Sequence, residues 1–205
     1  MEGCDIVSAT GRGAERAEFD SYLTPDALAL TLTRRLAADF CLRPRTVLEP
    51  SVGGGAFVRA VRSVWGSRPY VAGVDLRNVP ECGADGVMCG DFLSYPGENG
   101  LASSPPLIIG NPPFCDAEAH TRHALSLRPS GGVVAFLLRL AFLESATRVP
   151  FWQENRPARV YVLSERPSFT GGGTDSCAYG FFVWQEGHAG PTRLDWIHSW
   201  KGATQ

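Results

Sequence analysis

The tetrapeptide Asn111-Pro112-Pro113-Phe114 carries the most specific chemistry in the chain. A nitrogen conjugated to a ring or a carbonyl is a poor nucleophile because its lone pair is delocalised. Two acceptors aimed at its N–H groups favour a tetrahedral nitrogen with the lone pair localised. The Asn111 side-chain oxygen and the Pro112 carbonyl suit that task, since a proline has no N–H to present there. Pro113 stiffens the turn, so the acceptors need little reorganisation. Phe114 offers a ring face on which a planar target can stack. The plainer reading is a proline-rich turn that Asn111 initiates.

Three carboxylates precede it in the chain. Glu49 opens Glu49-Pro50-Ser51-Val52-Gly53-Gly54-Gly55-Ala56-Phe57, where glycines let the backbone approach a ligand and the next helix offers unpaired N–H groups. The dinucleotide fingerprint lacks its third glycine, which disfavours a nicotinamide oxidoreductase. An acidic residue at this point is wrong for a pyrophosphate and suits a ligand bearing an amine and a sulfonium. Asp75 can accept both hydroxyls of a ribose. Asp91, in Gly90-Asp91-Phe92, can accept from an adenine amine beside an aromatic face. Taken singly, Asp75 reads equally as a turn residue and Asp91 as a helix cap. Three such features at successive strand ends are harder to assign to turns.

These groups need a scaffold, and the hydrophobic pattern supplies one. Thr24 as N-cap and Pro25 at the first helical position open a helix whose Leu28, Leu32, Leu36 and Phe40 form one stripe, with Pro44 ending it. Short apolar runs predict strands at 46–49, 70–76, 87–89, 107–110, 133–138, 159–163 and 179–184. Helices are expected at 56–65, 117–127 and 141–153. The alternation argues for an α/β, Rossmann-like, mostly parallel sheet of seven strands with helices on both faces. Only a loop joins the last two strands, so they should form an antiparallel C-terminal hairpin. Ligands on such sheets sit at the carboxyl ends of strands, where all four motifs fall.

The ordered set Tyr22-x-Thr24-Pro25, Glu49-Pro50-Ser51-x-Gly53-x-Gly55-x-Phe57, Asp75-Leu76, Gly90-Asp91-Phe92 and Asn111-Pro112-Pro113-Phe114 resembles the class I S-adenosylmethionine-dependent amino-methyltransferases. The order is that of the gamma-type adenine N6 DNA enzymes, and the resemblance covers about residues 19–184. It implies a cofactor, S-adenosyl-L-methionine, with Tyr22, Thr24 and Pro25 near its methionine end. Glu49, Pro50, Ser51, Gly53, Gly55 and Phe57 would line the sulfonium and amino acid part. Asp75 and Leu76 would hold the ribose, Asp91 and Phe92 the adenine, and Asn111 also touches the cofactor. Methyl transfer to an exocyclic amine follows, with Asn111, Pro112, Pro113 and Phe114 as the catalytic set. Many DNA adenine enzymes carry Asp first and Tyr last in this motif. Asn with Phe is also similar to RNA adenine enzymes, and relatives with Tyr last methylate a protein glutamine amide. The tetrapeptide therefore fixes the reaction type better than the substrate. A methyltransferase-like scaffold is the remaining alternative.

Arg166-Pro167-Ser168-Phe169 and the aromatic-rich last strand, 179–184, resemble those of small phage and mobile-element adenine methyltransferases and favour DNA over RNA, while Gly171-Gly172-Gly173 suit a mobile loop. Arg166 and Phe169 would grip a flipped nucleotide from a mobile lid, the alternative being a plain hairpin loop. Arg139, Arg148, Arg156, Arg159 and Arg166, interleaved with Glu144, Glu154 and Glu165, read first as a solvated mixed-charge face. His120 and His123 read as surface or rim histidines. With so little chain after Trp184, a single domain over 1–205 is expected, with a flexible arm at 1–18 and no separate target-recognition domain. A homodimer or a partner subunit would then supply recognition.

A net charge of −2 gives no global field for a polyanion. A slight basic excess in the second half marks where one would dock. The six cysteines, among them Cys82 and Cys89, show no zinc spacing and are expected to be reduced and mostly buried. No metal is expected. Neither a signal peptide nor a membrane-length apolar run is visible, so no membrane contact is expected and the protein reads as cytoplasmic.

Overall fold

A computed structural model describes residues 23–97, 100–169 and 175–202. Tyr22, the arm at 1–18 and the triplet Gly171-Gly172-Gly173 lie outside the described residues. The chain runs α1 (Asp26–Phe40), β1 (Thr46–Glu49), α2 (Ala56–Trp65), β2 (Tyr70–Asp75), β3 (Gly86–Cys89), β4 (Leu107–Gly110) and α3 (Ala117–Leu127). It continues through β5 (Val133–Arg139), α4 (Val149–Glu154), β6 (Arg159–Leu163), β7 (Tyr179–Gln185) and β8 (Arg193–Ile197).

The sheet order is β3-β2-β1-β4-β5-β7-β6-β8. Strands β1 to β5 are parallel, and β7 runs antiparallel between β5 and β6. The expected hairpin is therefore present, with its second strand inserted inside its first. The order reverses between β1 and β4, which opens a crevice at their carboxyl ends. Glu49 ends β1 and Asn111 follows β4, so the two motifs flank that crevice.

Each face of the sheet carries its own core. Leu28, Leu32 and Leu36 of α1 and Phe57 and Val61 of α2 are buried with Val47, Ile109 and Phe181 on one face. Ala117 and Ala124 of α3, with Phe142 and Phe151, cover Leu48, Ile108 and Phe182 on the other. The alternation of Leu48 and Ile108 with Val47 and Ile109 follows the two-residue period of a strand. Asp39 ties α1 to the sheet, accepting from Arg35, Arg159 and the Tyr161 hydroxyl (2.6 Å). Arg35 also pairs with Asp195 of β8.

Three expectations need correction. The sheet has eight strands rather than seven, because β8 adds parallel to β6. β8 is an edge strand whose residues are mostly exposed, Ile197 excepted, so it has no apolar run to betray it. The helix expected over 141–153 is two 3-10 turns followed by the short α4. Ser145 sits at φ 140 and breaks the helical path, Arg148 donates to the Ala141, Phe142 and Glu144 carbonyls, and Pro150 can enter only a helix's first turn. Finally, Pro25 rather than Thr24 occupies the N-cap of α1, with no side-chain cap. Thr24 is engaged elsewhere, as described below.

The cysteines also depart from expectation. Those described are free thiols, but Cys41, Cys89 and Cys115 are exposed and only Cys82 is fully buried. No described helix is long and apolar enough to cross a membrane.

Candidate active site

The crevice between β1 and β4 widens into a cavity of about 870 Å³. Glu49, Asp75, Asp91 and Asn111 all line it, each delivered by a different strand end. Thr24, Pro25, Pro50, Ser51 and Gly53 contribute to the same wall, and Leu76, Phe92, Pro113 and Phe169 to the rest. Gly55, Phe57, Pro112, Phe114 and Arg166 do not line it.

Two glycines explain the turn after β1. Gly55 has φ +74, and a Cβ there would stand 1.9 Å from the Cys82 carbonyl oxygen, so backbone contact demands a glycine. Gly53 has φ +48, and its N–H donates to Asp75 Oδ2 at 2.8 Å. The turn is thus stitched to the end of β2. Phe57, expected beside the cofactor, is 1% exposed and stacks on Phe181 at 6.4 Å in the core. It packs beneath the turn and holds it without reaching the cavity.

The carboxylates occupy unlike environments. Glu49 is 3% exposed, and its Oε2 is buried without a hydrogen-bond partner. Burial pushes its pKa well above the usual carboxylate range, and the Asp75 charge adds to this against the Val58 N–H and Arg59. Asp75 is also largely buried, which alone would raise its pKa. The Arg77 side chain and the backbone N–H groups of Arg77 and Gly53 outweigh burial and hold it below the usual range. Its Oδ1 accepts from Arg77 N and Nε, both at 3.0 Å. Asp91 is exposed, and its Oδ1 accepts from Leu93 N at 2.9 Å, capping a 3-10 turn as one plain reading expects.

Asn111 Nδ2 donates to Thr24 Oγ1 at 3.1 Å, joining the β4 end to the start of α1. Its Oδ1 is buried. Thr24→Val keeps the shape and removes this acceptor. If the contact orients the amide, kcat should fall about tenfold. A kcat within twofold of the parent would show that Asn111 is oriented by other means.

Phe114 stands outside the cavity in an aromatic cluster. The Arg139 guanidinium lies over its ring at 4.8 Å, with Tyr179 at 5.4 Å and Phe169 at 6.1 Å between ring centroids. The Tyr179 hydroxyl donates to Asp175 Oδ2 at 2.5 Å. Phe169 is 8% exposed, so it rests against Phe114 rather than reaching outward. Arg166 is exposed and donates to the Ser176 carbonyl at 3.2 Å. The other arginines of this stretch are largely engaged in structure: Arg148 on loop carbonyls and Arg159 on Asp39.

Arg77, Ser168 and His120 are among the cavity residues to which the sequence assigned no site role. Arg77 lies two residues beyond Asp75 and could have been linked to it by spacing. Ser168 has a buried Oγ without a hydrogen-bond partner and lies beside Phe169. His120, expected at the surface or rim, is 6% exposed and lines the cavity, because α3 turns that side chain under Phe92.

No family profile matches the chain, and no curated protein matches it in sequence. Among solved structures, it is similar to a protein from Listeria monocytogenes assigned to the class I S-adenosylmethionine-dependent methyltransferases. That alignment has TM-score 0.67 and 13% identity over 86% of this chain and 66% of the other. The methyltransferase subunit of a type I restriction-modification system from Streptococcus thermophilus aligns with TM-score 0.64 and 15% identity, over 82% of this chain and 45% of the subunit. A predicted O-methyltransferase from Agrobacterium tumefaciens aligns with TM-score 0.56 and 21% identity, over 82% and 84% of the two chains. The fold is that of the class I S-adenosylmethionine-dependent methyltransferases. The chain spans just under two thirds of the Listeria protein and less than half of the restriction-modification subunit.

Proposed function

We propose that the chain is an S-adenosylmethionine-dependent N-methyltransferase acting on an exocyclic amine, adenine N6 in DNA. One observation carries the reading: a single cavity gathers Glu49, Asp75, Asp91 and Asn111 at four strand ends. The partnerless buried Oε2 of Glu49 fits a ligand that brings both a donor and positive charge. An ammonium beside a sulfonium meets that need. Both Asp75 oxygens are already hydrogen-bonded, so ribose hydroxyls must share them with Arg77 or displace it. Once bound, S-adenosylmethionine supplies an electrophilic methyl group.

The chain's own residues then act on the amine. The Asn111 oxygen and the Pro112 carbonyl accept its N–H groups and localise the nitrogen lone pair. No general base is required before the N–C bond forms, since the extra proton becomes acidic afterwards. The target plane would stack on Phe114 after Arg139 or Phe169 yields a ring face, with Arg166 near a phosphate. The motif order supports DNA, as does the restriction-modification subunit among the similar folds. Loops, a second copy or a partner subunit would read the sequence.

The test is labelled methyl transfer to duplex DNA, single-stranded DNA, total RNA and protein extract. Label in DNA N6-methyladenine is expected. Label confined to RNA or protein would replace the substrate, and binding of S-adenosylhomocysteine without transfer to any of them would indicate a scaffold.

A further inference from the structure

His120 is a cavity group to which the site described so far gives no task. Its Nδ1 lies 3.2 Å from the Asp116 carbonyl oxygen. A carbonyl can only accept, so Nδ1 carries the proton and Nε2 presents a lone pair. The ring stacks on Phe92 at 5.4 Å and 30°, which fixes its plane. Asp91 and Leu93 line the same cavity, and Asp91, next to Phe92, is near enough for its charge to act on the ring. Burial lowers its pKa, against the Asp116 carbonyl and the charges of Asp116 and Asp91, with His123 reinforcing the shift. The imidazole is therefore neutral at neutral pH and acts as an acceptor.

An exocyclic amine has two N–H groups and seeks two acceptors. Asp91 Oδ1 is taken by Leu93 N, which leaves its other oxygen as one acceptor. His120 Nε2 is the second. We propose that His120 is a specificity-determining residue of the cofactor site, its Nε2 accepting a hydrogen bond from the purine 6-amine of S-adenosylmethionine. This rests on the cofactor reading given above. A carbonyl oxygen in place of the amine would set lone pair against lone pair at both acceptors, so the site rejects inosyl in favour of adenosyl ligands.

The test is calorimetric binding of S-adenosylhomocysteine and S-inosylhomocysteine to the parent and to His120→Phe, which keeps an aromatic ring on Phe92 and removes the acceptor. The parent is expected to prefer the adenosyl ligand by about tenfold or more. In His120→Phe, adenosyl affinity should fall about tenfold while inosyl affinity holds or rises, so that the preference shrinks to what Asp91 alone supplies. His120→Gln, whose side-chain oxygen can accept, should recover part of the preference. An undiminished preference in His120→Phe would overturn the role of His120 and leave the cofactor reading intact. Absence of adenosyl binding to the parent would overturn both.

Discussion

Asn111→Ala is expected to lower methyl transfer by about a hundredfold or more while S-adenosylhomocysteine binding and folding stay close to the parent. Asn111 sits just past β4, outside the strand itself, and its amide donates to Thr24 at 3.1 Å. Truncation therefore removes an acceptor from the reaction without opening a cavity in the sheet. The loss should appear in kcat and in kcat/KM together, as expected for a contact strongest in the transition state. Asn111→Asp is the informative companion. It keeps an acceptor at the same place and should retain much more activity than alanine. Single-turnover rates at saturating DNA measure both. An alanine variant within threefold of the parent would show that the nitrogen is activated by other groups.

Much of this site was legible because strand ends leave a local signature. β1, β4 and α3 have the boundaries that their apolar runs and flanking glycines and prolines imply. Buried central strands have no polar alternation to confuse them, and an acidic residue or Asn-Pro-Pro directly after such a run is conspicuous. Other features depended on tertiary placement. β8 forms because β6 offers an edge, and its Arg, Asp and Trp side chains mostly face solvent. Phe57 and His120 exchanged their expected environments for the same reason. Helix periodicity says which face is apolar but not which residue of that face meets a cavity. Phe57 went into the core against Phe181, and His120 went beneath Phe92 at the cavity wall. The role of Thr24 was similarly invisible, since its partner Asn111 lies 87 residues away.

Glu49→Gln should separate stability from binding in opposite directions. Glu49 is buried at the cavity wall, and its pKa is raised mainly by burial, with a further push from Asp75. Because the folded value lies above the unfolded one, its favourable contribution is complete below the unfolded pKa and is lost as pH rises through the folded pKa. Glutamine carries no such penalty, so the ligand-free variant should be more stable than the parent at the alkaline end of that window, and the gap should close at acid pH. Binding should move the other way. A cationic ligand beside Oε2 favours the ionised carboxylate, so cofactor affinity in the parent rises with pH until Glu49 ionises unaided. Below that point, binding expels a proton. Calorimetry in buffers of different ionisation enthalpy counts the protons released. The part absent from Glu49→Gln belongs to Glu49. The variant should bind the cofactor about a hundredfold more weakly, having lost one member of a buried charged pair. Equal affinity and equal proton release in parent and variant would mean that Glu49 is a buried neutral acid with no cation to meet, and the sulfonium end of the ligand would have to be placed elsewhere in the cavity.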